Sequence, residues 1–562
     1  MTSRYRLPIA FLSLFLCLIF SEDKAETLLQ QQLAKYPVFA EGRIMPMDTL
    51  ARSTLVRLGN KQTYRNAQKQ KRPAIEFLAL VAFAPDQAAK EKVIRVDHPQ
   101  LRALLNEGNT PQNYFSFDEI IPHLSDINKA REKTIGDAAY SEALNLLMER
   151  LDNYTKLHEA LSISYSSFST LGQELDYLKQ LPEELTGRQR LRYAERESPI
   201  YIFFTKGHWQ SLPSRKLLFL QSGQIDHQLQ DWLIIGDSYR GEKNGDALPI
   251  LTKYTQQDTR LERFQNRLQP AYKGILLYLL SFLSICLWGI KRIRFLKEAA
   301  YGFFLGGLLL QSEMLLFLMY QSGGPPITGI YSSSVFIGWA GTITCSFYEG
   351  KQKSWVYILC GSVLGIVTLT IAHNLSAIGV NTEPLPAIIN SNLWLTLHVI
   401  TITLGYSGSL IAGLLATVSI FTVGDNDALY RKIIACICFT LCFTTVGTLL
   451  GGIWADQAWG RFWGWDPKEN GALMIILWNA LILHAFRDQL IHRQGLCRLA
   501  VTGNIITAWS WFGTNLLGQG LHAYGFTENG SRWLLGYCLL QIAILIASGL
   551  KHPSQEDEDD PY

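Results

Sequence analysis

Trp454 together with WGRFWGWDPKEN, Trp459–Asn470, places four of the chain's fourteen tryptophans between two long apolar segments, 433–453 and 470–488. Apolar segments of that length on either side of a short polar run describe two membrane-crossing helices joined by a loop. Trp459 and Trp463 stand four residues apart, a spacing that puts them on one face of any helical turn, with Gly460 and Gly464 leaving room for a flat ligand. A structural pattern overlaps this one. Asp466, Pro467, Lys468 and Glu469 read as N-cap, N1, N2 and N3 of the next helix: the Asp oxygen accepts from orphaned N–H groups, proline is preset for the first turn, and Glu at N3 closes a capping box. Tryptophans also anchor helices at membrane interfaces. Four within twelve positions, with interleaved glycines, exceed what anchoring requires.

On either side of this run, apolar stretches recur at about 274–290, 303–320, 333–348, 355–372, 394–423, 433–453, 470–488, 501–518 and 534–550. The expected fold is mainly α: a polytopic helical membrane protein with about nine spans, the third being the weakest by composition. Lys291, Arg292, Arg294 and Lys297, then Lys351 and Lys353, then Arg431 and Lys432, then Arg487, Arg493 and Arg498 occupy alternate loops, whereas the other loops carry only Arg461, Lys468 and Arg532. The basic set is expected on the cytoplasmic side, which leaves the tryptophan run, the 373–393 loop and the 519–533 loop on the outer face. At the start of the chain Arg4 and Arg6 precede an apolar core, Leu7–Phe20. That pattern fits a signal peptide or an uncleaved anchor, either of which exports the polar residues beyond it. The predicted organisation is 1–20 signal or anchor, 21–271 a large, mainly helical extracytoplasmic domain, 272–550 the multi-span domain, and 551–562 an acidic cytoplasmic tail.

A net charge of +3 selects no partner class, and the acidic run Glu556–Asp560 reads as a solvated tail. All nine cysteines lie in or beside apolar segments, and 21–271 has none. That excludes a disulfide scaffold or a CxxC thiol reductant, and the lack of CxxCH excludes a c-type cytochrome. Cys436, Cys438 and Cys442 suit small apolar packing better than metal binding. Within the outer domain Leu144, Leu147, Leu151, Tyr154 and Leu161 trace one helical face through 139–162, 182–188 and 236–246 read as polar connectors, and Asp48 in GRIMPMDTLAR (Gly42–Arg52) is placed to cap a following helix.

Topology sorts the eleven histidines. His398 follows Asn392, the candidate N-cap of the fifth span, by six residues, roughly 9 Å below the outer end and one turn beyond Trp394. His522 lies in the outer loop GQGLHAYGF. Two histidines flanking a tryptophan platform favour a pair of axial ligands to haem over two isolated polar side chains. His484, counted from Pro467, lies roughly 26 Å along the seventh span, near the cytoplasmic boundary of a hydrocarbon core about 30 Å thick. It is either an interfacial histidine beside Arg487 or an ionisable group that needs a partner or a hydrated cavity. Glu313 fits pairing as well as function, His373 stands where it can support a ligand, and His98, His123, His158, His208 and His227 show no ligand spacing.

The run AWGRFWGWDPKENGALMIILWNALILHAFR resembles the tryptophan-rich signature of cytochrome c assembly proteins of the CcsA/ResC type, the haem-handling subunit of the system II cytochrome c synthase. The likeness extends to SNLWLTLHV around His398, GLHAYGF around His522 and QSGGPPITGIYSSS (Gln321–Ser334), in the family's order, over about 271–550. The resemblance implies that His398 and His522 are external axial ligands, that Trp459, Trp463, Trp465 and Asp466 form the haem-binding segment, and that His484 is a transmembrane ligand receiving haem on its way out. It implies b-type haem in transit, attached covalently to a CxxCH apocytochrome c at the outer face of a bacterial-type cytoplasmic membrane. The partners it implies are a CcsB/ResB-like membrane protein that supplies the second transmembrane histidine, thiol-reducing thioredoxin-like proteins, the apocytochrome and membrane lipid; nucleic acid is not among them. The chain departs from the family pattern at Gly324, Gly329 and Ser332, where Arg, Asn and Glu are usual, and 21–271 does not look like the CcsB/ResB partner. A haem carrier without ligation activity is the alternative. A haem b or quinone-reactive respiratory subunit fits less well, because no span carries two histidines well inside the membrane.

Overall fold

The computed structural model describes residues 27–105, 112–133, 138–162, 198–205, 207–222, 224–241, 246–254, 259–352, 354–377, 392–422, 427–517 and 530–550. They are predominantly helical and fall into two compact units, one drawn from Ser21–Leu268 and one from Gln269 onward.

In the first unit, strands β1 (Pro37–Ala40) and β2 (Arg43–Pro46) form a hairpin. Its two-residue loop, Glu41 and Gly42, has positive φ at both positions (54° and 75°), the turn whose twist suits antiparallel strands. Helices α1 (Met47–Gly59), α2 (Ala74–Phe83) and α3 (Ala138–Leu161) follow, and β3 (Ile200–Tyr201) then pairs antiparallel with β1 to complete a small sheet in the order β2-β1-β3. Helix α4 (His227–Arg240) and the short α5 (Arg260–Leu268) end the unit. The five residues expected to share a face of α3 are all buried, in one core with Phe77, Phe83 and Trp232.

Two expectations are corrected. Asp48 does not cap α1: β2 runs straight into the helix, Pro46 takes the N-cap position, and Asp48 is a buried member of the first turn. There it accepts from Arg52 Nε and Asn266 Nδ2. The expected connector 236–246 is helical as far as Arg240, where α4 ends on Gly241 at a φ of 80°.

Among the described residues the second unit is a bundle whose long helices are α6 (Pro270–Lys291), α7 (Arg294–Ser322), α8 (Ile330–Gln352), α9 (Trp355–Ala377), α10 (Asn392–Phe421), α11 (Asp427–Trp459), α12 (Pro467–Arg487), α13 (Arg493–Ala508) and α14 (Gly530–Leu550). The expected apolar segments fall on these helices, except that 501–518 follows α13 only to Ala508 and then runs through a π turn. All but α8 and α13 are long and apolar enough to cross a membrane. Helix α8 carries three consecutive serines, Ser332–Ser334, at one end and Glu349 and Lys351 at the other; α13 has only sixteen residues before the backbone relaxes into a π turn, Trp509–Gly513.

Helices α10 and α11 pack along their length because glycines face each other's backbones. A Cβ at Gly447 would lie 2.8 Å from the Ile402 backbone, and one at Gly405 3.0 Å from the Thr444 nitrogen. Helix α13 is held by a polar seam instead. Arg498 Nε donates to Ser548 Oγ (3.1 Å), Asn504 Nδ2 to Gln541 Oε1 (3.3 Å), and the hydroxyls of Ser409 and Thr507 meet at 2.7 Å. These pairs join it to α14 and α10 and satisfy polar groups that lipid cannot.

Candidate functional site

One end of the bundle gathers the end of α11, the start of α12, the π turn after α13, the start of α8 and the second turn of α10. His398 on α10 reaches across to α11, where its Nδ1 lies 2.8 Å from the Gly447 carbonyl oxygen. A carbonyl only accepts, so Nδ1 carries a proton; a neutral ring held this way has its lone pair on Nε2, the arrangement of a metal-ligating imidazole. The ring stacks nearly parallel (11°) on Trp454 at 6.1 Å between centroids. Gly451 makes room for it: a Cβ there would stand 2.6 Å from His398 Cε1. The close approach of α10 and α11 therefore both positions His398 and fixes its tautomer.

The tryptophan run is not helical throughout. Helix α11 ends at Trp459, because Gly460 takes a φ of 72° as its N–H bonds back to the Asp456 carbonyl. The expected sharing of one helical face by Trp459 and Trp463 is thus corrected. Trp459 packs edge-on against the buried Trp454 (4.8 Å, 63°), and Trp463 packs perpendicular to Trp465 (5.9 Å, 89°). Trp465 is 70% exposed and has a φ of 57°, so the chain presents a large aromatic surface there at a strained position.

The capping pattern is as the sequence suggests. Asp466 is the N-cap of α12, Pro467 is at N1, and Asp466 and Glu469 form a reciprocal capping box. Glu469 Oε2 also accepts from Gly464 N at 2.8 Å, so one carboxylate gathers the strand between Trp463 and α12. Lys468 then donates to the Ser510 and Trp511 carbonyls in the π turn. A π turn leaves carbonyls without their usual helical partners, and the ammonium group satisfies two of them. Trp511 Nε1 in turn donates to Ser333 Oγ on α8 (3.0 Å), and Ser510 Oγ meets Tyr406 Oη on α10 (2.9 Å). The loop bearing the tryptophans is tied to α8, α10 and α13 through Lys468.

The structure brings His398, Trp454 and Trp459 together, and packs Trp463 on Trp465 beside the Asp466 cap in the segment that follows. His522 lies outside the described residues. His484 does not join them: it stands far along α12, exposed, in line with the exposed Met474, Leu477 and Leu481 at helical spacing. No group of three His, Cys, Asp or Glu side chains able to hold a metal ion occurs among the described residues. Sequence reasoning missed Gly447 and Gly451, whose four-residue spacing in GTLLGG is the small-residue signal of close helix packing, and the tether from Lys468 to the π turn, which has no local signature.

A family model described as cytochrome c assembly protein matches residues 327–522, a range that takes in His398, the tryptophan run and His484. Over that range the chain is similar to the cytochrome c assembly proteins. Among its relatives is the cytochrome c biogenesis protein CcsA of Chlamydomonas reinhardtii, 29% identical over 236 residues, 39% of this chain and 66% of that protein. CcsA of Parasynechococcus marenigrum is 28% identical over 305 residues, 47% of this chain and 95% of that protein. Protein NrfI of Wolinella succinogenes is 26% identical over 507 residues, 86% of this chain but 53% of NrfI. This last likeness is longer than the stretch after Leu268, so it runs into the first unit as well. The chain therefore spans just under two thirds of the algal relative and about half of NrfI.

Proposed function

We propose that this protein is a cytochrome c assembly protein that acts in cytochrome c maturation by holding haem at the tryptophan-rich end of its bundle and presenting it for covalent attachment to a CxxCH apocytochrome c. The observation that carries this reading is His398, whose Nδ1–H is committed to the Gly447 carbonyl and whose ring stacks on Trp454. A histidine serving only as a polar filler needs neither constraint. Trp463 and Trp465 offer aromatic faces for a porphyrin, and Asp466 with Glu469 holds the segment that bears them.

In this reading His522 supplies the second axial ligand from the loop after Leu517, and the tryptophan-rich end lies outside the cytoplasmic membrane with the Ser21–Leu268 unit. The substrate is b-type haem. Each thiol adds across a vinyl group: sulfur bonds to one vinyl carbon and the thiol proton goes to the other, with no net oxidation or reduction. The thiols must already be reduced, which calls for thioredoxin-like reductants, and two imidazoles hold the iron while the porphyrin is oriented. His484, on an exposed stripe of α12, receives haem nearer the cytoplasmic side, and a CcsB/ResB-like membrane protein covers that stripe and completes the ligation.

The test is the absorption spectrum of the purified full chain. We expect a low-spin, bis-imidazole haem spectrum that His398→Ala and His522→Ala each abolish together with cytochrome c maturation, and that added imidazole partly restores. Normal maturation by both variants would overturn the reading. A haem-loaded protein that forms no thioether with a reduced apocytochrome, even with its partner, would leave haem carriage as the function.

A further inference from the structure

Helix α5 is built inside out for a helix in water. Its polar side chains face the protein: Glu262 accepts a bidentate pair of bonds from Arg43 (3.0 Å each) and one from Thr49, while Asn266 donates to Asp48 and Thr49 at 2.9 Å. Arg263 is buried on the same side. The apolar Leu261 and Phe264 point away, 44% and 47% exposed and about 60° apart around the helix at 100° per residue, whereas Leu268 at the end of the helix is buried. Arg260 and Arg267 lie side by side along one edge of that arc, next to Phe264, both exposed. Positive charge is concentrated here: burial and then the neighbouring Arg263 and Arg267 pull the Lys35 ammonium below its ordinary value.

An apolar arc edged by arginines is the pattern of a helix lying in a membrane interface, with its rings among the acyl chains and its guanidinium groups at the phosphates. The chain itself indicates the occupant. A single residue, Gln269, separates α5 from Pro270, the first residue of the membrane-crossing α6. One residue reaches at most about 3.6 Å, so the end of α5 is held at the level where α6 enters the bilayer. Tyr272, 60% exposed in the first turn of α6, adds the amphipathic ring typical of that level. We propose that the exposed face of α5, Leu261 and Phe264 with Arg260 and Arg267 along one edge, is a membrane-surface anchor that binds anionic phospholipid. The polar face of the same helix grips the β2–α1 corner through Glu262 and Asn266, so the anchor fastens the Ser21–Leu268 unit to the lipid surface.

The test places the photoreactive residue p-benzoylphenylalanine at position 264 of the full-length chain, and separately at 261, in nanodiscs of phosphatidylcholine with or without phosphatidylglycerol. The comparison site is exposed Lys129. Mass spectrometry is expected to find lipid adducts at 264 and 261 well above the level at 129, several-fold higher with phosphatidylglycerol present. In the Arg260→Gln/Arg267→Gln background the effect of phosphatidylglycerol should be lost. Neither substitution touches the bonds of Glu262 or Asn266, so unchanged insertion and thermal unfolding serve as the control for folding. Adducts at 264 and 261 no more frequent than at 129, or adducts only with another polypeptide, would overturn the proposal. Lipid adducts indifferent to phosphatidylglycerol would overturn the choice of anionic lipid.

Discussion

The imidazole of His398 and the indole of Trp454 lie within 11° of parallel although they stand on different helices. That alignment depends on the absence of a side chain at Gly451. Gly451→Ala would bring a Cβ to 2.6 Å from His398 Cε1, an overlap that the ring must relieve by rotating, at about 1–3 kcal/mol. We expect the variant to insert normally yet lose the low-spin haem spectrum nearly as completely as His398→Ala, although position 451 supplies no ligand. An unchanged spectrum would show that the ring's orientation is immaterial.

The four tryptophans should separate into two classes. Trp454 is 1% exposed and Trp465 is 70% exposed. Removing the buried indole costs about 3–5 kcal/mol of packing, so Trp454→Ala should lower the thermal unfolding temperature. Trp463→Ala and Trp465→Ala should leave that temperature in place and reduce haem retention, measured as the haem-to-protein ratio after purification. Loss of stability without loss of haem in the latter two would assign them to packing.

Asp466 tests cap against charge. Asp466→Asn keeps an acceptor for the Lys468 N–H, whereas Asp466→Ala removes it at about 1 kcal/mol. Haem retention should fall less in Asn than in Ala. Equal falls would point to a requirement for the carboxylate's charge.

How far the sequence discloses this arrangement varies with the range of the interaction. The capping box is complete within four residues and is legible in the sequence, as is the buried face of α3, because both obey a local period. The stacking expected of Trp459 and Trp463 fails because a glycine at positive φ ends the helix between them, and a spacing rule assumes that the helix continues. Asp48 misleads for the same reason in reverse: its capping signature is sound, but a strand enters the helix two residues earlier than a cap at Asp48 requires. His398 is identifiable as a candidate from its depth; its tautomer depends on a carbonyl forty-nine residues away, which no local pattern encodes.

His484 is expected to act at a distance. It stands roughly 26 Å from the start of α12, too far to touch the tryptophan run, so His484→Ala should deplete haem at that end only if haem passes through. Co-expression with a CcsB/ResB-like protein should raise the haem content of the wild-type chain, and less so that of the variant. Full loading of the isolated chain regardless of His484 would refute both the relay and the partner.

In the first unit, Asp48 and Arg52 form a buried ion pair at 3.1 Å. Asp48→Ala leaves a guanidinium buried without its carboxylate and should destabilise the unit by about 3–5 kcal/mol, whereas Asp48→Leu/Arg52→Met should recover much of the loss. Protease resistance of Ser21–Leu268 within the full chain is a direct readout, and a double variant as labile as the single one would argue against the pair.

The polar seam of α13 bears on how the chain is made. Helices α8 and α13 are the members of the bundle that fall short as membrane-crossing segments, and both lean on α10. A translocon meets segments in the order of synthesis, so α8 emerges before α10, against which it packs, while α13 emerges after it. Stable lipid integration of α8 must then wait for about seventy further residues, and α13 can enter against a surface already in place. Truncation points before and after α10 should divide ribosome-bound chains that retain α8 in the bilayer from those that let it slip back.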